Sequence, residues 1–369
     1  MAQTRLHKPD YAILIIIGII VVYGLIMLSS ASSVLAFDKY GDSNYFLKHQ
    51  LLFGVLLGII GFLIASKIDY HLWSKLALPI LVINILLLLA VFIPGIGFEY
   101  GGARRWINLG FTLLQPTEVL KLTFILYLSV LFAKNKEGIK EAAYGLVPFL
   151  IILGSIIFLI MLQPDMGTMT VIAITGVAIF FIAGAPIKHL AWIMLGATGL
   201  FLVLIKIAPY RAARLTVFLN PALDPQGVGY HINQALLAIG SGGLFGLGLG
   251  HSRQKYLYLP EVTGDSIFAV IAEELGLFFS IALIILFISF LYRGLQIAKK
   301  APDTFGKLVS VGIVSWIVLQ AFINIAAMVT LLPLTGIPLP FISYGSSALA
   351  TSLIAIGILI NISKQIKNS

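Results

Sequence analysis

The chain alternates between long apolar stretches and short polar segments. A helix needs about 20 apolar residues to cross the hydrocarbon core of a bilayer, and about ten stretches meet that length. Their approximate centres are Ile20, Gly58, Leu86, Ile125, Leu153, Val177, Met194, Ile284, Leu319 and Ala355. The pattern predicts an all-α integral membrane protein, a polytopic bundle of about ten transmembrane helices, with residues 1–369 forming a single domain.

The longest polar interval lies between the seventh and eighth predicted helices, at about residues 209–264. Loops beyond about 15 residues are usually functional or disordered. This one contains the apolar run LLAIGSGGLFGLGLG, which favours order and predicts a partly embedded or re-entrant helix with glycine-rich turns. The glycines of this run do not have the spacing of a nucleotide-binding loop.

Composition supports a membrane protein, because 59% of residues are hydrophobic and only 11% are charged. The absence of cysteine excludes disulfides, thiolate metal sites and cysteine nucleophiles. The net charge of +9 is explained first by membrane topology, so no nucleic-acid partner is predicted.

Lysine and arginine set the predicted orientation, since they accumulate in cytoplasmic loops. Their distribution favours both termini on the cytoplasmic side, with an even number of helices. Two loops on the outside nevertheless carry clustered cations, which indicates an anionic ligand there. These cations are Arg104, Arg105, Arg211, Arg214, Arg253 and Lys255.

Charged residues also occur at the predicted outer ends of three helices. Glu118 and Lys121 share one face of the fourth helix, because they are three residues apart after Pro116. They form either a local ion pair or the wall of a site, and the two interpretations are compatible. Asp165 and Asp265 precede the sixth and eighth helices, where each is either an N-cap or a site residue. Both interpretations stay open for Asp165.

Three further groups of polar residues lie in the outer loops and the eighth helix. The last outside loop, residues 332–341, contains three prolines and leads to Ser343, whose hydroxyl either packs in a turn or lines a cavity. Glu273 and Glu274 lie deeper in the eighth helix, and we expect them to hydrogen-bond a neighbouring helix or loop. His231 and His251 lack partners at metal-ligand spacing and are interpreted as loop residues.

Six ordered motifs carry a family resemblance. They are Gly-Ala-Arg-Arg-Trp-Ile (102–107), Gln-Pro-Thr-Glu-x-x-Lys (115–121), Gln-Pro-Asp-Met-Gly-Thr (163–168), Ser-Arg-Gln-Lys-x-x-Tyr-Leu-Pro-Glu (252–261), Asp-x-Ile-Phe-Ala-Val-Ile-Ala-Glu-Glu-Leu-Gly (265–276) and Pro-Leu-Pro-Phe-Ile-Ser-Tyr-Gly (338–345). Together they resemble the SEDS family of shape, elongation, division and sporulation proteins, whose members include FtsW, RodA and SpoVE. Ser-Arg-Gln-Lys and the Ser-Ala-Ser-Ser segment near residue 30 look more like FtsW or SpoVE than RodA.

The resemblance implies a peptidoglycan glycosyltransferase of the bacterial cytoplasmic membrane that polymerises lipid II on the outer face. It also implies a class B penicillin-binding protein as partner, with other divisome or elongasome membrane proteins. Asp265 falls on the family's essential aspartate, which favours a site over a cap, and Glu118, Lys121 and Asp165 match its functional motifs. Two segments depart from the family's usual motifs: Tyr-Gly-Ser-Ser-Ala (344–348) and Glu-Val-Thr-Gly (261–264). Both departures change loop residues and leave the candidate carboxylates intact.

The chemistry implied by the resemblance needs one base and a cationic patch. A sugar hydroxyl attacks after losing its proton, and we expect Asp265 to accept it. The undecaprenyl diphosphate leaving group needs cations, for which Lys121, the loop arginines and Mg²⁺ or Mn²⁺ at Asp265 are candidates. Direct displacement would invert an α-linked donor to a β-1,4 glycan.

Two other functions are compatible with a membrane bundle. A lipid II flippase could use the same cationic groove, but a transporter needs sites near the midplane that open to both sides. A structural scaffold for the division machinery gives no reason for outside arginines or an intramembrane Glu–Lys pair.

Overall fold

The computed structural model describes residues 8–100, 102–207, 216–218 and 227–366. Each of the ten predicted centres lies within a helix. The helices are α1 (Tyr11–Tyr40), α2 (Tyr45–Lys67), α3 (His71–Ala90), α4 (Pro116–Lys134), α5 (Ala142–Leu162), α6 (Met166–Ile182), α7 (Ile187–Ile207), α8 (Val228–Gly242), α9 (Ile267–Lys300), α10 (Thr304–Met328) and α11 (Ser346–Lys364). Helix α8 occupies the long loop, where the sequence predicts an additional apolar helix.

Eight helices among the described residues are long and apolar enough to cross a membrane: α1 to α5 and α9 to α11. Helix α6 is apolar but has only 17 residues. The mostly helical membrane fold is therefore confirmed, while the number of crossings stays a prediction.

A small antiparallel sheet between α3 and α4 was not predicted from the sequence. Its strands are β1 (Gly97–Tyr100), β2 (Ala103–Asn108) and β3 (Leu113–Leu114), hydrogen-bonded in the order β1-β2-β3. The sheet is short and mostly exposed, so its strands lack the strong alternation of a half-buried sheet. It brings two predicted cations, Arg104 and Arg105, onto one strand.

The bundle has a buried centre and a lipid-facing periphery. In the most apolar 18-residue stretch of each helix, 72%, 83% and 78% of the residues are buried for α4, α10 and α11. The corresponding shares are 22% for α3 and 33% for α1. Close packing requires small residues, as where Gly312 of α10 lies against Ile125 and Ile179. The central helices are therefore the ones that can carry buried polar groups.

The two ends of the bundle are defined by the ends of helix α9. We name the end where α9 begins the Asp265 end, and the end where α9 stops and α10 begins the Asp303 end. The Asp265 end also carries the β-sheet, the start of α4 and the loop of residues 329–345. The Asp303 end carries the start of α3 and the end of α11.

Helix α9 is broken at Gly276, whose φ of 78° is left-handed. The break frees backbone groups, and the glycine-rich segment after α8 pairs with them. Leu247 and Gly248 amides donate to the Glu273 and Glu274 carbonyls at 2.9 Å each. The Leu277 amide in turn donates to the Gly243 carbonyl at 2.9 Å.

The glycines of this segment are required by close backbone approach. A Cβ on Gly242 would overlap the Ala272 carbonyl, and a Cβ on Gly246 would overlap the Glu274 carbonyl. The run that the sequence marks as a glycine-rich turn is therefore the hydrogen-bonding partner of a broken helix.

Candidate functional site

The centre of the site is an ion pair inside helix α4. Pro116 occupies the first turn of α4, where a proline loses no helical hydrogen bond. One turn on, the Lys121 Nζ lies 2.7 Å from a Glu118 carboxylate oxygen, and both side chains are only 3% exposed. The local ion pair expected from the sequence is therefore present, and it is buried.

Helix α10 extends this pair into a network. Lys121 Nζ donates to Gln320 Oε1 at 2.8 Å, and Trp316 Nε1 donates to the same oxygen at 2.9 Å. The ammonium also lies 5.2 Å from the centre of the Trp316 ring, within cation–π range. Gln320 Nε2 donates to the Pro338 carbonyl at 2.9 Å, so the pair is linked to the proline-rich loop.

One helical turn after Gln320, Asn324 reaches the segment that carries Asp265. Its Nδ2 donates to the backbone carbonyl of Asp265 and to that of Ile337, each at 2.8 Å. Asn324 is 1% exposed. The two amides of α10 thus join α4, the proline-rich loop and the start of α9 in one buried network.

Asp265 lies just before helix α9, whose N-cap is Ser266. The N-cap position is therefore one residue after Asp265. Its segment is held by Ser343, whose Oγ donates to the Gly264 carbonyl at 2.6 Å and accepts from the Leu339 amide at 2.8 Å. Gly336 lies beside the carboxylate, since a Cβ there would be 3.9 Å from Asp265 Oδ2.

A second carboxylate, Glu261, accompanies Asp265 in the same turn. The Gly264 and Ser266 amides donate to the Glu261 carbonyl at 2.9 and 3.2 Å, which folds the turn back on itself. The Glu261 residue is exposed, but partial desolvation of its carboxylate raises its pKa and the charge of Asp265 raises it further, against opposing effects of His231, Lys39 and a Tyr100 hydrogen bond.

His231, interpreted from the sequence as a loop residue, lies in helix α8 near Asp265. Its Nε2 is 2.6 Å from Ser266 Oγ, and that hydroxyl also donates to the Pro260 carbonyl at 2.7 Å. The start of α9 is therefore tied to α8 through side chains.

Asp165 is the N-cap of helix α6. Its carboxylate accepts from the Thr168 amide at 3.0 Å and the Thr168 hydroxyl at 2.8 Å. Arg105 fixes the preceding turn, because its guanidinium donates to the carbonyls of Gln163 and Pro164 at 3.0 and 2.7 Å. Both residues shape the Asp265 end through backbone contacts.

The remaining candidate cations have different environments. Arg104 pairs with Glu99 on the sheet at 3.0 Å, with both side chains about half exposed. Arg253 is exposed. Lys255 is buried, with its ammonium 2.9 Å from Glu274. Arg211 and Arg214 lie outside the described residues.

Glu273 and Glu274 have the structural contacts expected of them. Glu273 accepts hydrogen bonds from the Arg253 amide at 2.9 Å and from the Ser252 hydroxyl at 2.5 Å. Glu274 accepts from Ser30 Oγ of α1 at 2.7 Å in addition to pairing with Lys255. The two glutamates therefore attach the loop and α1 to the break in α9.

Sequence reasoning missed Glu261, Gln320 and Asn324 as members of the site. Trp316, Gln320 and Asn324 recur every four residues in the mostly apolar second half of α10, which places them on one face. Polar side chains inside a membrane helix usually face the bundle interior, so that spacing was the available signal.

An apolar cavity of about 600 Å³ lies between α8, α9 and α10. Its lining includes Phe268, one helical turn after Asp265, and Ala272 and Ile284 further along α9. The cavity therefore follows the apolar side of α9 from its first turn onward.

Comparisons with known proteins cover nearly the whole chain. The family model for FtsW, RodA and SpoVE, described as "Cell cycle protein", matches residues 11–368. The chain is 44% identical to stage V sporulation protein E of Bacillus subtilis, over 98% of each chain. It is 39% identical to a probable peptidoglycan glycosyltransferase FtsW of Trichlorobacter lovleyi, covering 98% of this chain and 95% of the relative.

Solved structures show the same fold. A chain from a peptidoglycan synthase complex that coordinates polymerization and crosslinking superposes with a TM-score of 0.81 at 25% identity. The rod shape determining protein RodA of Thermus thermophilus superposes with a TM-score of 0.71 at 25% identity. Each comparison covers 98% of this chain and 99% of the other.

Proposed function

The chain belongs to the FtsW, RodA and SpoVE family of cell cycle proteins, and from this membership we propose how it acts as a peptidoglycan glycosyltransferase. The activity serves cell division or cell shape. The substrate is lipid II, which is joined into β-1,4 glycan strands with inversion at the donor sugar. The observation that carries the proposal is the attachment of Asp265 to the buried Glu118–Lys121 pair through Asn324 and Gln320.

Asp265 is the general base. A sugar hydroxyl becomes an effective nucleophile when a positioned carboxylate takes its proton, and such a base contributes about 10²–10⁴-fold. Asp265 is half-buried, and its carboxylate lies beside Gly336 of the loop that precedes α11. Fixed contacts from Ser343 and Asn324 to its backbone segment hold it in place.

The diphosphate is bound by cations at the Asp265 end. Lys121 and Lys255 are each enclosed in a buried ion pair, so they stabilise the frame around the site. Of the candidate cations in the described part of the chain, Arg253 and Arg104 have exposed side chains that can meet a diphosphate. A diphosphate leaves without an acid when its charge is neutralised.

We also propose that a divalent cation binds at Asp265 together with the substrate. No group of three or more His, Cys, Asp or Glu able to hold a metal occurs in the described ranges, so these residues form no closed cage. Mg²⁺ commonly uses one or two carboxylates together with substrate phosphates. Asp265 would hold Mg²⁺ or Mn²⁺, which would supply positive charge to the leaving diphosphate.

The apolar cavity provides a place for the lipid tail. Its lining starts at Phe268, one turn from Asp265, and follows α9 through residues such as Ala272 and Ile284. A polyprenyl chain in this cavity would keep its diphosphate next to Asp265. The protein is a polytopic membrane protein, and we place it in the bacterial cytoplasmic membrane with both termini cytoplasmic and the Asp265 end outside.

The partner that we propose is a class B penicillin-binding protein, which crosslinks the strands as they form. A solved relative occurs in a complex that coordinates polymerization with crosslinking. Other division or elongation membrane proteins are expected to associate with this pair.

The experiment is gel analysis of glycan products from purified lipid II, with and without a candidate penicillin-binding protein and with Mg²⁺ or Mn²⁺. We expect polymer from the native chain, and loss of polymer from Asp265→Asn at equal amounts of folded protein. Full polymerisation by the Asn variant would remove Asp265 as the base. Movement of lipid II across vesicles without any polymer would favour a flippase instead.

A further inference from the structure

We propose that Asn324 is a positioning residue for the reaction, which holds the backbone of Asp265 and the proline-rich loop in a fixed relation. The proposal rests on the proposed role of Asp265. It concerns a residue of α10 that would touch no reacting atom and would act through Asp265.

The geometry of the amide is specific. Both hydrogens of Nδ2 are used, one for the carbonyl of Asp265 and one for that of Ile337, at 2.8 Å each. These two carbonyls belong to segments that are 72 residues apart in sequence, so no local structure holds them together. Asn324 therefore fixes the distance between the base and the loop that faces it.

The two segments that Asn324 joins also meet through Ser343, which bonds Gly264, and through Tyr344, whose amide donates to the Thr263 carbonyl at 2.8 Å. These contacts lie before Asp265 in the chain. Asn324 is the contact in the described structure that reaches the peptide of Asp265 itself from α10. Without it, the carbonyl of Asp265 would lose its hydrogen bond to α10, which lowers the stability of this segment.

The position of Asn324 also explains why Gln320 and Asn324 occur together. Gln320 binds the Pro338 carbonyl and Asn324 binds the Ile337 carbonyl, so consecutive carbonyls of one loop contact consecutive turns of one helix. Gln320 connects this loop to Lys121. Asn324 connects the same loop to Asp265.

Asn361 provides a matched control within the same chain. It is also a buried asparagine, 3% exposed, and it bonds backbone groups: its Nδ2 donates to the Ser66 carbonyl at 3.0 Å, and its Oδ1 accepts from the Tyr70 amide at 2.9 Å. It lies at the Asp303 end, far from Asp265. A change there removes the same kind of contact without touching the site.

The test compares Asn324→Leu and Asn324→Asp with Asn361→Leu in the full-length protein. Two readouts are measured: polymerisation kinetics with lipid II, and hydrogen exchange of the backbone amides of residues 263–269 and 337–344. Asn324→Asp keeps the shape of the side chain and replaces the amide donor with an oxygen, so it tests the two hydrogen bonds separately from side-chain packing. Size-exclusion behaviour of each purified variant shows whether it folds.

We expect both Asn324 variants to lower kcat at least about tenfold with KM changed by less than about twofold, because exposed cations bind the diphosphate independently. We expect exchange in the two segments to rise about tenfold, the equivalent of one lost hydrogen bond or slightly more. Asn361→Leu should leave exchange in both segments and kcat near native values.

Unchanged exchange near Asp265 in the Asn324 variants would overturn the proposal, as would equal losses of kcat in the Asn324 and Asn361 variants. The exchange measurement does not require substrate. A native chain that makes no polymer would refute the proposed function, while the exchange result would still decide whether Asn324 fixes this segment.

Discussion

The two ends of the bundle use polar residues in opposite ways. At the Asp303 end, His71 lies between Asp69 and Asp303 at 2.7 Å from each, with the three side chains 51%, 63% and 35% exposed. At the Asp265 end, Glu118 and Lys121 pair at the same distance but are 3% exposed. The charges of the first network are exposed or partly exposed, whereas this pair at the second end is buried within a helix.

This difference has a physical meaning because burial of charge is expensive. Removing an ion from water costs several kcal/mol even after relaxation, whereas exposed pairs cost and contribute little. The Asp303 network can be explained by loop closure alone. The Asp265 network includes a buried pair, two buried amides and a broken helix, and such groups in a membrane usually mark a functional site.

The asymmetry also bears on the transport alternative. A transporter alternates access around charged groups near the midplane. In the described part of this chain, the buried Glu118–Lys121 and Lys255–Glu274 pairs both belong to the Asp265 end. This one-sided arrangement suits chemistry at one membrane surface.

The largest expected effect comes from replacing one carboxylate with an amide, at the Asp265 end or at the Asp303 end. Asp265→Asn should lower polymerisation by about 10²–10⁴-fold, since it removes the proposed base. Asp303→Asn should leave the rate within about threefold of native, because Asp303 caps α10 and bonds Tyr70 and His71 far from the site. Initial rates of glycan formation measure both, and similar losses for the two variants would refute the functional distinction between the ends.

The next effect is on stability, at the buried pair. Glu118→Gln should destabilise the protein by about 3–5 kcal/mol, because it leaves the Lys121 charge uncompensated in the interior. Adding Lys121→Met should restore much of that loss. Asp10→Asn, which breaks the partly exposed pair with Arg293, should cost at most about 1 kcal/mol. Thermal unfolding in detergent measures all three, and a larger loss for Asp10→Asn would contradict the comparison.

A smaller effect should follow from a single methyl group at the broken helix. Gly276→Ala should cost about 1–3 kcal/mol, since its φ of 78° is unfavourable for alanine and its Cβ would overlap the Leu244 carbonyl and the Gly246 amide. Gly154→Ala in α5 meets no atom within 4 Å and should be neutral or slightly stabilising. Equal unfolding temperatures for the two variants would argue against the break as a strained feature.

The smallest expected effect is a difference in pH dependence between the ends. Partial desolvation and the charge of Asp265 raise the pKa of Glu261 above its usual 4.5, so its contribution to stability is present below that pH and is lost as pH rises through the folded-state value. Burial acts to raise the pKa of Asp303 too, but hydrogen bonds from the Gly306 amide, Tyr70 and His71 outweigh it and hold that pKa below its usual 3.8. Asp303 therefore stabilises the fold above pH 3.8 and loses that contribution as pH falls through its lower folded-state value.

The measurement is thermal unfolding between pH 4 and pH 8. Glu261→Gln should gain stability relative to the native chain as pH rises, because glutamine has no charge to bury. Asp303→Asn should be less stable than the native chain throughout this range. The same sign of change in both variants would contradict the assigned environments.

Much of the fold could be predicted from the sequence, because a chain that crosses a membrane must satisfy its backbone hydrogen bonds within helices. Long apolar stretches must form helices, so all ten predicted centres lie in helices. Short motifs identified the family, and the positions of Pro116 and Asp165 at helix starts followed from local preferences. The mostly exposed three-stranded sheet was missed because its strands are too short to give a period.

What only the tertiary structure decided is which polar groups meet. Nothing in the spacing of Lys121, Gln320 and Asn324 shows that they form one connection to Asp265, because the three helices involved are brought together by packing. The same is true of Lys255, a candidate ligand cation by sequence that folding buries against Glu274. The hydrophobic pattern that specifies a membrane helix is contained in one stretch of sequence, so the helix can be predicted from it. A hydrogen bond between distant residues depends instead on how the helices pack.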